Sequence, residues 1–364
     1  MQMPKFPSVN PSFHVVLKNR IEEYFKKKEV SSHGNFNLFF KAALLIASFI
    51  GLYIHLVFFT PAWYFGIAEC IVLGLVIAFI GFNIMHDGSH GSFSKSKFMN
   101  RMAAYTINVL GGSSFMWNVK HNMVHHSFTN IAGVDDDINA GILLRFSEHQ
   151  KRYKIHRFQH IYFWFLYTLL YIFWVFYTDY KKYFSRRIAI TPLKKLDAWD
   201  HVVFWGFKAI NVFLFVALPI YLLGFVTWLV GFLAIMLIAG FVLSIVFQLA
   251  HTVQHTSFPD PKGINGIDGM MEDEWAIHQL KTTADFATNS KIISWCVGGL
   301  NFQVEHHLFP KISHVHYPAL SKIIRATCEE YGMPYIAFPK MHNAVASHVS
   351  YLRQMGRKSA IITN

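Results

Sequence analysis

Charge is scarce in this chain. Asp, Glu, Lys and Arg make up 15% of it, where a soluble domain carries about 25%. That deficit excludes an ordinary water-soluble domain and reads as a membrane protein. Cysteine is scarce as well: Cys70, Cys296 and Cys328 are the only three, and they form no CxxC pair. An odd, scattered set gives no disulfide framework and suits a reducing cytosolic face. Residues 1–37 hold no apolar signal region. The chain also has no internal repeat and no low-complexity tract. It has no HExxH motif and no serine, cysteine or lysine nucleophile in a recognisable setting, which argues against a zinc hydrolase.

Apolar sequence is abundant instead. Hydrophobic residues reach 53% and aromatics 17%. Four stretches are long enough to cross a bilayer as helices: Leu38 to Phe59, Trp63 to Met85, Val202 to Leu223 and Val226 to Ala250. Lys41 and Lys208 fall near the starts of the first and third, where snorkelling to the interface is expected. The turns at Thr60 to Ala62 and at Gly224 carry no charge. The N-terminal segment, Asp87 to His201 and the C-terminal region carry the Lys and Arg. The positive-inside rule then puts both termini and the middle segment in the cytoplasm. The net charge of +12 therefore faces an anionic leaflet rather than a nucleic acid.

The expected fold is an all-α integral membrane protein with four transmembrane helices in two hairpins and a cytoplasmic helical cap. Its parts are an N-terminal segment (1–37), hairpin one (38–85), cap (86–201), hairpin two (202–250) and cap again (251–364). Within 1–37, Phe13 to Phe25 is amphipathic, either a membrane-surface helix or a solubilising tail. Ile161 to Tyr177 is apolar enough to be a fifth span. Ten of its 17 residues are aromatic, and basic clusters flank it on both sides. It reads as an interfacial or re-entrant helix, because a fifth span would separate the histidines described next. Ser257 to Glu274, rich in Pro and Gly, reads as a mobile loop that gates the site or the carrier surface. The tail beyond Tyr317 reads as two helices, one opened by Pro318 and stopped near Gly332, with no chemistry in them.

Seven histidines fall into three clusters: His86 and His90 in HxxxH, His121, His125 and His126 in HxxxHH, and His306 and His307 in QVEHH. A metal ion takes roughly four protein ligands in a closed site, so this many imidazoles imply a dimetal site. His86 and His90 sit one turn apart if the second span continues as a helix. His121 and His125 repeat that spacing, and His126 points elsewhere, toward a second metal. Gln303 adds a possible amide ligand. His251 lies where the last span ends and is expected as a further ligand. Gln248 and His255 lie about one turn either side of it and are possible metal or supporting residues. Each ligating ring needs a partner for its other nitrogen; Asp87, Glu305 and the run Asp135-Asp136-Asp137 are candidates. Imidazole suits iron, zinc and copper. A metal transporter would place its ligands near the bilayer midplane, whereas these fall at the cytoplasmic ends of spans or beyond. Histidine-held metals at a membrane surface point to oxygen-dependent chemistry on a lipid.

The three boxes, with two hydrophobic hairpins, resemble the membrane fatty acid desaturases from the first span to about Pro318. Gln303 opening the third box, Gly111-Gly112-Ser113-Ser114 and the run Phe302 to Pro310 resemble the front-end, linoleoyl-CoA-desaturase-like branch. The resemblance implies a di-iron centre held by His86, His90, His121, His125, His126, His251, Gln303, His306 and His307. It also implies O2 as co-substrate and a cis double bond placed in a fatty acyl chain carried on CoA, acyl carrier protein or lipid. A hydroxylase, acetylenase or ketolase would share the same scaffold. Many front-end enzymes carry a fused cytochrome b5 domain with an HPGG motif. That motif is missing here, so electrons are expected from a separate ferredoxin or cytochrome b5 with its reductase.

Overall fold

The computed structural model describes residues 3–138, 140–260 and 269–357. It is mostly helical: α1 (Phe13–Lys28), α2 (Phe36–Phe59), α3 (Trp63–His90), α4 (Lys97–Val109) and α5 (114–125) come first. Next are α6 (Lys154–Thr168) and α7 (Leu170–Ser185), then α8 (Ala198–Leu223) and α9 (Phe225–His251). Five short or medium helices finish the chain: α10 (Trp275–Thr282), α11 (Lys291–Cys296), α12 (Gln303–Leu308), α13 (Tyr317–Tyr331) and α14 (Met341–Gly356). Two small strand pairs complete it. Arg187–Ile188 runs antiparallel to Thr191–Pro192, and Asp285–Phe286 runs parallel to Ala337–Phe338.

Among the described residues, α2, α3, α8 and α9 are the four helices long and apolar enough to cross a membrane singly. Their limits match the expected spans at the turns and run longer at the other ends. The side chain of Asn35 accepts from Leu38 N and starts α2 early. Helix α3 continues through His86 to His90 and stops where Gly91 adopts φ +74. Helix α9 reaches His251. Both extensions carry histidines on continuous helix.

Helix α3 is the hub, packed on α2, α4 and α9. At Gly74 a Cβ would lie 2.7 Å from the Ile235 carbonyl, so only glycine lets α3 and α9 approach this closely. Helices α6 and α7 pass the apolar test together but bend by 60° at Leu169. The break seats on α9 at Gly240, where a Cβ would collide with the Thr168 carbonyl.

Three expectations are corrected. Helix α1 buries Phe13, Leu17 and Ile21 against Leu320 and Ile324 of α13 and Leu280 of α10. Its apolar face thus covers protein, not membrane, with about 1.5–3 kcal/mol favouring each buried side chain. Lys41 does not snorkel; its buried Nζ donates to the Trp295 carbonyl at 3.3 Å and sits 3.2 Å from His314 Nε2. Lys208 turns inward as well, donating to the Gly111 and Val175 carbonyls and facing Asp179. Both ammonium groups find fixed acceptors inside, which offsets their desolvation. The tail forms the two expected helices, α13 closing at Gly332 with φ +63. Of the expected loop Ser257 to Glu274, residues 261–268 lie outside the described residues.

Candidate metal centre

Four pieces of chain bring eight histidines together. The end of α3 supplies His86 and His90, α5 supplies His121, His125 and His126 with the residue that follows it, the end of α9 supplies His251, and α12 supplies His306 and His307. His86 and His90 share one face as their spacing predicts, with ring centroids 4.7 Å apart. The second box is wound differently from expectation. Over Asn118–His125 the helix is of the wide type, and His126 N donates to His121 O, five residues back. Such turns are frequent at functional sites. Here the wide turn swings all three histidines of the box inward.

Two neighbouring groups result. Potential ligand atoms of His86, His90, His121 and His306 lie within 4.8 Å of one another, as do those of His125, His251 and His307. His126 joins His306 and His307 within the same limit and so stands between the groups. His90 is half-buried and the other seven rings are buried, and the buried Nε2 atoms of His90, His121, His125, His126, His251, His306 and His307 have no hydrogen-bond partner among the described residues. A buried polar atom left bare is costly. Seven such nitrogens converging on one space fit metal ligation.

The opposite nitrogens of five of these rings are held, whereas His126 Nδ1 has no partner among the described residues. His121 Nδ1 donates to Asp137 Oδ2 at 2.9 Å and His125 Nδ1 to Asp135 Oδ2 at 2.8 Å. His307 Nδ1 donates to Gln279 Oε1 at 2.9 Å and His251 Nδ1 to the Thr282 carbonyl at 3.3 Å. His306 Nδ1 meets the Tyr317 hydroxyl at 3.1 Å. This fixes the tautomer of those five rings so that Nε2 presents its lone pair. Gln279 also donates to the His126 carbonyl, joining the second and third boxes.

Electrostatics agree. Burial holds His121, His126, His306 and His307 well below the usual imidazole range, so they stay neutral and able to ligate. Burial also works against a charge on His125, but the Asp135 carboxylate outweighs it and the net shift is upward. Burial disfavours ionised Asp137. Lys120 and His121 overcome that and hold its carboxyl well below the usual range.

Other expected residues land elsewhere. Gln303 is buried, lines the cavity beside the site and donates to the Leu300 carbonyl at 2.8 Å. Gln248 lines the same cavity and accepts from Thr252 Oγ1 at 2.9 Å. His255 is exposed, with φ +77, outside the histidine groups. Asp87 binds Ser313 and His314 rather than a box histidine. Glu305 and Asp285 share the Tyr335 hydroxyl. Burial pushes both carboxyls up, and the charge of Asp285 adds to the effect on Glu305. Asp136 pairs with Lys182 instead of a ring.

Gln279, Thr282 and Tyr317 were not legible as supports, since no spacing links them to a box. Tyr317, opening α13, gives the tail a role that the sequence did not suggest. Trp117 was within reach of helical spacing: it precedes His121 by one turn and stacks on it at 4.3 Å. A cavity of about 680 Å³ runs up to His86, His121 and His306, walled largely by apolar side chains such as Leu144, Phe146, Leu166 and Trp174. That space suits a hydrocarbon chain laid beside the histidines.

Comparison with known proteins agrees with this geometry. The profile of the family described as fatty acid desaturase matches residues 61–339. An sn-1 linoleoyl-lipid 6-desaturase of Arthrospira platensis is 34% identical over 94% of this chain and 92% of its own length. A protein of the same name from Synechocystis is 34% identical over 95% of this chain and 96% of its own. An acyl-lipid (8-3)-desaturase of Physcomitrium patens is 33% identical over 95% of this chain and 72% of its own. With the match spanning most of the chain and the histidines gathered as described, this protein belongs to the fatty acid desaturase family.

Proposed function

We propose that this chain is a front-end acyl-lipid desaturase that places a cis double bond in a lipid-linked acyl chain near its carboxyl end. The observation that carries the reading is the set of bare, buried Nε2 atoms at the head of an apolar cavity. The names of the relatives, acting on linoleoyl-lipid at position 6 and as (8-3)-desaturases, support the lipid-linked substrate and the front-end position.

Two iron ions are the metals we assign. His86, His90, His121 and His306 would hold one, and His125, His251 and His307 the other, with His126 between them. Gln303 and Gln248 face the same cavity and complete the polar surface around the metals. When bound, the irons supply O2 activation for removing two hydrogens from adjacent methylenes. The chain's own residues do the rest. Asp135, Asp137, Gln279 and Tyr317 hold the rings in place. The apolar wall excludes water and fixes the methylene beside the metals, so that reaction follows from position.

The topology we infer has two membrane hairpins, 38–85 and 202–250. The segments 1–37, 86–201 and 251–364 form the cytoplasmic side, with 161–177 lying in the interface. The uncharged turns and the basic intervening segments support it. Electrons would come from a separate ferredoxin or cytochrome b5, docked on the basic cytoplasmic face.

The test is expression in a host without polyunsaturated lipids, with double bonds located by mass spectrometry and iron counted on the purified protein. New cis-unsaturated acyl chains and about two irons per chain are expected. Hydroxylated or acetylenic products would select a different activity on the scaffold. Metal moving across vesicles without lipid products would overturn the enzyme reading.

A further inference from the structure

A second cavity, of about 320 Å³, adjoins the first. It reaches the turn after α2 at Thr60 and Pro61, and Leu73, Phe215 and Trp228 wall it. Three residues line both cavities: Ile77, Leu110 and Tyr171. All three are buried, and the Tyr171 hydroxyl donates to the Leu110 carbonyl. They therefore form one wall with open space on each side, pinned by a hydrogen bond.

The wall has a definite place relative to the metals. Ile77 precedes His86 by nine residues on the same helix, which sets it roughly 13 Å further along the helix axis at 1.5 Å per residue. Lys181, Ser185 and Arg187 also line the larger cavity and give it polar groups outside the histidine site. A lipid-linked acyl chain would keep its ester end by those groups and run its methyl end past the histidines toward Ile77. A double bond at carbon six leaves most of a linoleoyl chain on the methyl side, so room beyond the metals decides which chains fit.

We propose that Ile77, Leu110 and Tyr171 are a chain-length partition across a single acyl tunnel, and that the outer cavity is the reserve that longer chains occupy when the partition is opened. This rests on the desaturase reading above. In an apolar pocket one methylene is worth about 1–3 kcal/mol, or 10–200-fold in discrimination. A closed wall therefore selects sharply, and a trimmed wall joins the two cavities.

The experiment feeds palmitic, linoleic and a twenty-carbon polyunsaturated acid to cells expressing the wild type and variants. It reads conversion of each acid against membrane-inserted protein. Ile77→Ala should raise conversion of the twenty-carbon acid relative to palmitic acid by about tenfold. Gly66→Leu, added to Ile77→Ala, should cancel that gain by filling the outer cavity. A Cβ at Gly66 meets only Pro61, its ring at 3.8 Å and its carbonyl oxygen at 3.9 Å, both ordinary contact distances. If Ile77→Ala fails to insert, Tyr171→Phe decides: it removes only the clamp on Leu110 and should shift the ratio the same way by a smaller factor. An unchanged ratio in the inserted variants, with the wild type active, overturns the partition. No desaturated product from the wild type overturns the desaturase reading instead.

Discussion

His121 and Asp137, sixteen residues apart, are joined by a 2.9 Å hydrogen bond from the ring Nδ1 to a buried carboxylate that Lys120 also binds. The bond points His121 Nε2 at the space shared with His86, His90 and His306. An outer partner of this kind is worth about 10–100-fold in metal affinity or activity. Asp137→Ala should therefore lose iron to a graded chelator about 10–100-fold more readily than the wild type. Asp137→Asn, which keeps an acceptor and drops the charge, should fall between. Wild-type iron retention in Asp137→Ala would falsify this orienting role.

Gln279 ties the third box to the second through one amide. Its oxygen accepts from His307 Nδ1 at 2.9 Å and its nitrogen donates to the His126 carbonyl at 3.1 Å. Gln279→Leu keeps the volume and removes both bonds. It should cut activity by about 10–100-fold and lower bound iron while the protein still inserts. Gln279→Glu keeps an acceptor for His307 and should recover part of the loss. Equal activity and iron in Gln279→Leu and the wild type would show that Gln279 does not hold the ring and that Thr129 Oγ1, 3.3 Å from His307 Nδ1, and packing suffice.

What could be read from the chain was whatever repeats at short range. The spans at α2, α3, α8 and α9 follow from length and apolar run. The pairing of His86 with His90 follows from one helical turn. His251 was legible because α9 ends there. The inward swing of His126 was not, since the wide turn over Asn118–His125 shows in no spacing rule. Nor was the inward course of Lys41 and Lys208, because their acceptors at Trp295, Gly111 and Val175 come from distant segments. Helix α1 showed its apolar stripe, but the stripe does not say whether lipid or α13 covers it. Gln279 and Tyr317 meet their histidines only after the fold has closed.

Acid should loosen the metal-free site. An unfolded histidine takes its proton near 6.5, while burial holds folded His121, His126, His306 and His307 well below that. Below about pH 6.5 the unfolded state therefore binds more protons, and stability falls as pH falls. His125, whose folded value is raised by Asp135, acts in the opposite sense. It stabilises below 6.5 and loses that contribution as pH rises through its folded value. The Asp285 and Glu305 carboxyls, pushed up by burial, act in that opposite sense too, and the four neutral rings outnumber these three groups. The melting temperature of iron-free protein should drop between pH 7.5 and 5.5, and bound iron should resist the drop, since ligation competes with protonation. A melting temperature that stays level over this range, or rises toward acid, would mean the rings are less buried than described.

Lys208 and Asp179 are buried together, 3.5 Å apart, and Lys208 also donates to the Gly111 carbonyl at 2.6 Å and the Val175 carbonyl at 2.8 Å. Three elements meet at this one ammonium: α8, the bent α7 and the turn after α4. Removing one partner of a buried pair leaves the other charge uncompensated, at a cost of about 3–5 kcal/mol. Lys208→Met should therefore unfold at markedly lower temperature than the wild type. Adding Asp179→Asn removes the stranded charge and should recover part of the loss, a coupling that a double-mutant cycle measures. The same pair sits close to the turn at Gly111-Gly112, next to Leu110 of the cavity wall. The single variant should thus also blunt chain-length selection in whatever fraction remains folded. A Lys208→Met protein that melts with the wild type would mean that the carbonyl bonds and the ion pair contribute nothing net, and that packing alone holds α8 against α7.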